Sequence, residues 1–425
     1  MINTIVLFGV LSSTFLLASA SADDWPQWRG PNREDVSRET GLNLDWSQKK
    51  PPLLWTFKEA GAGYSAPTIV GGTLYCQGAA DGNDFAFAVD TETGKVKWKQ
   101  LLGKQFNQDR GDGPRGSVTV DGDSLYLIRG GGELNCLAAG DGKQQWKKDL
   151  RSDLGGAMMS SWGFSESPLV DGDLVICTPG GSKGTLAALN KKTGEVVWRS
   201  VDLTEKSGYS SPIVAEVDGV RQYIQITGGG VAGVAAKDGK VLWTAKIAAN
   251  GIAVVPTPIY HDHLVYATSG YGAGCGCVRL SRDGDKFKAE VLYTNKKLSN
   301  HHGGVVLVGD HIYGHSDGRG WVCQDLKTGE NAWEEKGDKR PGKGSVTCVD
   351  GRLLCLDENS GSLTCVKAST DGWKEFGRLE LPEKSKIHTT DNKVWTHPVV
   401  ANGKLYLRHH DLVFCFNLKD AVAVK

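Results

Sequence analysis

The residues best equipped for chemistry stand just ahead of short apolar segments. His301 and His302 lie in Asn300-His-His-Gly-Gly304, and His397 precedes Pro398. Tyr64, Arg115, Trp162, Glu166, Tyr209 and Trp395 occupy comparable points elsewhere along the chain. Imidazoles ligate metals or exchange protons, guanidinium and carboxylate groups orient polar ligands, and aromatic faces supply apolar area. Such a mixture suits a polar ligand site, and a water-filled funnel would display the same residue types. Three imidazoles at His301, His302 and His397 would also suit zinc, but nothing else in the sequence assigns a metal. No catalytic residue is assigned either. Ser161 and Ser165 lack a nucleophile elbow, and Gly228-Gly229-Gly230 reads as a turn, not a phosphate loop. Glu166 alone does not make the paired carboxylates of a glycosidase.

The ten cysteines offer no Cys-x-x-Cys pair for zinc and no haem attachment site. Ala88, Cys136, Ala188, Gly233 and Cys323 each lie six residues before a recurring turn glycine. Cysteine therefore alternates there with small residues, which marks a buried position of low volume. Cys355 and Cys365 flank a hairpin centred near Ser360 and are a candidate disulfide. Lys plus Arg and Asp plus Glu both number 49, so no basic footprint for nucleic acid exists. Ile2 to Leu17 is mostly apolar and is followed by Ala18-Ser-Ala-Ser-Ala22. That pattern predicts a cleaved signal peptide over residues 1–22, with an uncleaved anchor as the competing reading. Export to the periplasm or beyond the cell follows, with no membrane span after cleavage. His409-His410 is expected to be a solvent-exposed turn.

The elements that must position these side chains repeat. Thr93-Gly94 with Trp98, Asp141-Gly142 with Trp146, Thr193-Gly194 with Trp198, Asp238-Gly239 with Trp243 and Thr328-Gly329 with Trp333 are five copies of one spacing. A degenerate copy at Ser281–Gly284 places Leu292 or Tyr293 at the missing Trp, and a variant ends at Asp371-Gly372-Trp373. Each copy carries short apolar runs separated by Asp-Gly and Gly-Gly, which are hairpin signals. Four strands per period of about 45 residues match one blade of a β-propeller. First strands begin near Pro67, Ser117, Pro168, Pro212, Pro258, Gly304, Ser345 and Pro398, which predicts eight blades, with seven as the alternative. The last unit lacks a fourth strand. Leu53–Phe57 is free to supply it and close the ring, since an open ring exposes sheet edges. Residues 23–52 are expected to wrap the outside, anchored by Trp25, Trp28 and Trp46. The propeller then spans 53–425. First strands are innermost in a propeller, so the residues named at the outset ring the mouth of the central channel. The repeated Trp residues are read as fillers between neighbouring blades.

The element Ala88-Val-Asp-Thr-Glu-Thr-Gly-Lys-Val-Lys-Trp98 resembles the pyrroloquinoline-quinone (PQQ) repeat of quinoprotein alcohol dehydrogenases and BamB-type propellers. The resemblance covers about Trp55 to Asp420. Asp24-Trp-Pro-Gln-Trp-Arg-Gly-Pro31 is similar to the start of exported PQQ-repeat proteins of planctomycete-type bacteria. For the dehydrogenases, the resemblance implies a quinone stacked between a Trp and two adjacent, disulfide-linked cysteines, a calcium ion and a catalytic Asp. This chain has no adjacent Cys pair, and Cys275-Gly276-Cys277 is its nearest approach. The expectation is therefore a non-catalytic, monomeric binding or scaffold propeller without a cofactor, meeting a protein, peptide or carbohydrate at its face. The alternative is a dehydrogenase using PQQ with calcium, similar to the polyvinyl-alcohol dehydrogenase branch, with Arg115 and Trp395 at the quinone.

Overall fold

The apolar runs between glycine turns form strands, and antiparallel hairpins stack them into blades. The computed structural model describes residues 24–337, 339–387 and 392–419. The leader expected over 1–22 lies outside the described residues. Eight sheets form the ring. The innermost strands of blades 1 to 8 are Thr68–Val70, Thr119–Asp121, Leu169–Asp171, Ile213–Val217, Ile259–His261, Val305–Val308, Val346–Val349 and Val399–Ala401. Each begins within two residues of its expected start, so the seven-blade alternative is excluded. No helix among the described residues is long and apolar enough to cross a membrane. Leu53–Phe57 pairs antiparallel with Leu412–Asn417 and completes blade 8, with Trp55 opposite Cys415.

The sequence motif works as a latch between blades. In blade 3, Trp198 on the outer strand packs over its neighbour and its indole donates to Ala236 O of blade 4 at 3.1 Å. Trp55, Trp98, Trp146 and Trp333 donate likewise to Thr91 O, Ala139 O, Lys191 O and Ser369 O of the next blade. The glycine is required because the preceding blade's Trp lies on it. A Cβ on Gly194 would stand 2.7 Å from the Trp146 ring, and its φ of +72° is a region L-residues avoid. Gly94, Gly142 and Gly239 meet Trp55, Trp98 and Trp198 in the same way, and Gly329 meets Tyr293. Tyr293, opposite Cys277, thus fills the missing Trp position, and its hydroxyl donates to Leu326 O at 2.9 Å. Blade 5 turns through a longer hairpin whose Gly284 would have nothing within 4 Å of a Cβ, so no indole lies on it, and Trp243 donates to Gln222 of its own blade. Between blades 7 and 8, Trp46 and Leu44 from the N-terminal segment fill the seam.

That segment corrects one expectation. Residues 24–37 do not wrap the outside but occupy the axis. Trp25 pairs with Ile69 of blade 1, and Val120 N of blade 2 donates to Pro26 O. Arg33 donates to Ser167 O and Pro168 O of blade 3 and Pro212 O of blade 4. The Trp28 indole donates to Thr257 Oγ1 ahead of blade 5's inner strand, and Arg29 to Val305 O of blade 6. Val36–Ser37 runs parallel to Cys348–Val349 of blade 7, and Asp35 holds His397 ahead of blade 8's inner strand. So short a segment reaches all eight inner strands only from the centre. It enters antiparallel to one inner strand and leaves parallel to another, which makes it a loop with its apex toward the channel mouth. Isolated apolar anchors in the sequence do not distinguish an outer wrap from an axial plug.

All ten cysteines are free and buried. Cys355 pairs with Thr364 and Cys365 with Leu354, so the candidate disulfide is out of register and absent. His409 and His410 are buried, 3% and 2% exposed, which corrects the expected exposed turn. The turn folds inward against Tyr64, whose ring centroid lies 5.2 Å from that of His410. Burial drives the His410 imidazole down to about 3.

Candidate functional site

Antiparallel alternation decides which loops share a face. Connections leading into inner strands, and those joining second to third strands, open at the same end; the Gly-Trp turns lie at the other. At that first end the loops enclose a funnel of ≈ 670 Å³. Tyr64, Arg115, Trp162, Tyr209, His301, His302, Trp395 and His397 line it. Glu166 does not. It is 1% exposed and accepts from Thr178 N at 2.8 Å, so its carboxyl belongs to the core beneath the wall. Burial raises it to about 7, opposed by Thr178 and by the Arg33 guanidinium.

Sequence reasoning missed Trp28, Arg110, Tyr271, Lys343, Glu358 and Lys393, all on the funnel wall. Tyr271 and Glu358 sit between second and third strands, loops that strand alternation alone would have assigned to this face. Trp28, expected as an outer anchor, reaches the funnel from the plug and meets His397 edge-on at 4.5 Å.

Glu358 is the electrostatic centre of one wall. His302 Nε2 lies 2.7 Å from its Oε2, and the Trp395 indole donates to the same oxygen at 2.8 Å. Lys393 and Lys343 approach its other oxygen at 3.5 and 3.9 Å. Burial would raise this carboxyl, but His302, Trp395 and Lys343 outweigh it and hold it at about 2. Burial keeps the His302 imidazole below its usual range despite Glu358. His301 belongs to a different set. Its Nδ1 lies 3.3 Å from Lys343 Nζ and 3.5 Å from Asp317. His397 Nδ1 lies 2.8 Å from Asp35, which also holds Arg29 at 2.9 Å. The three histidines thus face three separate carboxylates, and no cluster of three or more His, Cys, Asp or Glu suited to a metal ion occurs among the described residues.

Elsewhere in the lining, Arg115 is fixed by Gly113 O at 2.7 Å and Gly111 O at 2.6 Å. Tyr64 pairs with Trp395 at 4.9 Å, and Tyr209 with Trp162 at 5.9 Å. Tyr209 also hydrogen-bonds Ser160.

A PQQ–calcium pair does not fit these residues. Calcium takes six to eight oxygens, mostly from carboxylates and amides. Glu358 is the one carboxylate lining the funnel among the described residues, and it is engaged by His302, Trp395 and two lysines. Cys275 and Cys277 lie buried in a blade strand, away from any quinone platform.

A tetrathionate hydrolase of Acidithiobacillus ferrooxidans is 29% identical over 256 residues, covering 54% of this chain and 47% of that protein. The chain therefore spans about half the length of that curated relative. Among solved structures, BamB from Moraxella catarrhalis superposes with a TM-score of 0.61 at 17% identity, covering 88% of this chain and 99% of that one. The quinohemoprotein alcohol dehydrogenase of Comamonas testosteroni gives 0.64 at 14% identity, covering 96% and 82%. Likenesses this distant establish the fold and leave the function to the site. The sequence match is more specific: it runs over residues 86–335, more than half the chain, and makes this protein a member of the PQQ-repeat propeller family described as outer membrane protein assembly factor BamB.

Proposed function

We propose that this chain is an exported, non-catalytic binding propeller that presents its funnel to a protein, peptide or carbohydrate. The observation that carries this reading is a preformed funnel with aromatic walls, floored by the chain's own plug. Pockets of this size with a few fixed polar groups are the usual form of a ligand site. Its walls are held by loops that connect the strands of the blades, with Arg115 fixed by two carbonyls and Trp395 by Glu358. The family's name concerns assembly of outer membrane proteins and favours a protein partner. The relative's name concerns tetrathionate hydrolysis and favours a small anion. Neither is specific to this site. Export rests on the apolar leader that ends at Ala18–Ala22.

The test uses the mature chain on peptide and glycan arrays, beside a Trp395→Ala variant checked for folding. Retention of one ligand class by the parent, lost in the variant, is the expected result. In parallel the protein is mixed with PQQ and calcium while visible absorbance and alcohol-dependent dye reduction are followed. Stoichiometric quinone uptake with dye reduction, abolished in Arg115→Gln, would overturn the non-catalytic reading in favour of the dehydrogenase alternative.

A further inference from the structure

Of the buried arginines, those that build the fold are tied either to several carbonyls or to a carboxylate. Arg408 reaches Ser65 O, Gln77 O, Ala60 O, Gly61 O and His410 O, and it is 1% exposed. Arg29 is paired with Asp35, and Arg129 with Asp84. Arg115 differs. Two carbonyls of its own loop fix its guanidinium, no carboxylate makes an ion pair with it among the described residues, and it lines the funnel half-buried. A guanidinium has five N–H donors, so several remain for a ligand. Holding the fork in place beforehand lowers the ordering cost of binding.

Its surroundings narrow the ligand. Arg115 lies within electrostatic reach of Tyr64, Asp112, Tyr209 and Asp84, and each of the two tyrosines is paired with a tryptophan of the funnel. Flat rings of this kind present apolar faces for a planar or ring-shaped apolar surface. Also in the lining, Lys343 and Lys393 share Glu358, and among the described lining residues the Arg and Lys side chains outnumber the carboxylates. The plug floors the channel, so a polymer cannot thread through and enters by an end.

We infer that the funnel takes the terminal segment of an acidic saccharide, with a sugar face on an aromatic pair and its anionic group on Arg115. This rests on the binding reading above and names its ligand class. Carboxylate and sulfate share the required chemistry, because both meet the guanidinium fork through two oxygens.

The experiment is titration calorimetry of the mature protein at low ionic strength. The probes are a uronic-acid trisaccharide, a sulfated trisaccharide, a neutral glucose trisaccharide and an acidic tripeptide. The acidic sugars are expected to bind at least ten-fold more tightly than the neutral one, and Arg115→Gln is expected to erase that margin while leaving neutral-sugar binding unchanged. Whichever acidic sugar shows the margin identifies the source of the anion. Lys393→Gln, a quarter-exposed rim position, gives a second reading should Arg115→Gln not fold, and is expected to shrink the margin. Equal binding of acidic and neutral sugars, or a margin that survives Arg115→Gln, overturns the acidic-saccharide assignment but leaves a sugar-binding funnel. Binding of the peptide alone overturns it while leaving the funnel a binding site for peptides. No binding of any probe, with the arrays also blank, overturns both.

Discussion

Between the blades this molecule is repetitive and apolar; along its axis it is unique and polar. At the seams one device recurs, an indole of one blade lying on the turn glycine of the next and donating to a carbonyl there. On the axis, Arg29, Arg33 and Asp35 each do something different, and each meets a different blade. The seams can be repetitive because each is a local, pairwise contact. The axis is not, because the segment that enters it meets a different carbonyl or side chain at each blade.

The comparison can be broken most forcibly at the centre. Arg29→Ala leaves Asp35 buried beside His397, and the expected loss is about 3–5 kcal/mol in guanidinium denaturation. A loss no larger than that of a surface ion pair would mean that the plug merely fills space. At the seams, Trp198→Ala should cost about 3 kcal/mol through the lost side chain, while Trp198→Phe, which keeps most of the packing, should cost about 1 kcal/mol for the indole hydrogen bond. Equal costs would show that the hydrogen bond, not the ring, holds blades 3 and 4 together. Smaller still, Gly194→Ala is expected to cost about 1–2 kcal/mol in the same assay. Gly122→Ala is its control: it shares a positive φ, at +55°, but has nothing near its Cβ position. If the two losses match, the Trp146 ring gives way freely and the latch explanation fails.

The gentlest probe is pH. Glu166 has a folded value of about 7, above the 4.5 of an ordinary glutamate. The native state thus holds the proton more tightly, and this group's stabilisation is present below about pH 4.5 and lost as pH rises through about 7. Glu358, held at about 2, works the other way: its stabilisation is present above about 4.5 and lost as pH falls toward 2. Denaturation midpoints of Glu166→Gln should therefore lose their decline between pH 5 and 7, a slope of about 1 kcal/mol per pH unit at most. Persistence of that decline in the variant would assign it to another group.

The seams were legible in the chain because Gly, Trp and the small residue opposite Trp recur at constant spacing. Even the irregular blade 5 kept enough of the pattern to place Tyr293 near the missing Trp. The strand closing blade 8 was legible too, because a lone strand at one terminus matched a vacancy at the other. The funnel was half legible. Most residues just ahead of inner strands were found by the count of repeats, but Lys343, three residues ahead of Val346, was passed over, as was Glu358 in a loop between second and third strands. Glu166 shows the limit of position counting. Only its side-chain direction decides between wall and core, and Thr178 N takes it inward.

The chain by itself determined an eight-bladed ring, its closure and the end at which side chains gather, since these follow from local turns and pairwise strand patterns. The tertiary structure alone decided that residues 24–37 fill the axis, that Glu358 gathers His302 and Trp395, and that Arg115 is held by carbonyls and makes no ion pair among the described residues. The plug contact of Asp35 with His397 joins residues 362 positions apart, Glu358 meets Trp395 across 37, and local sequence carries no record of which loops will meet at a common centre.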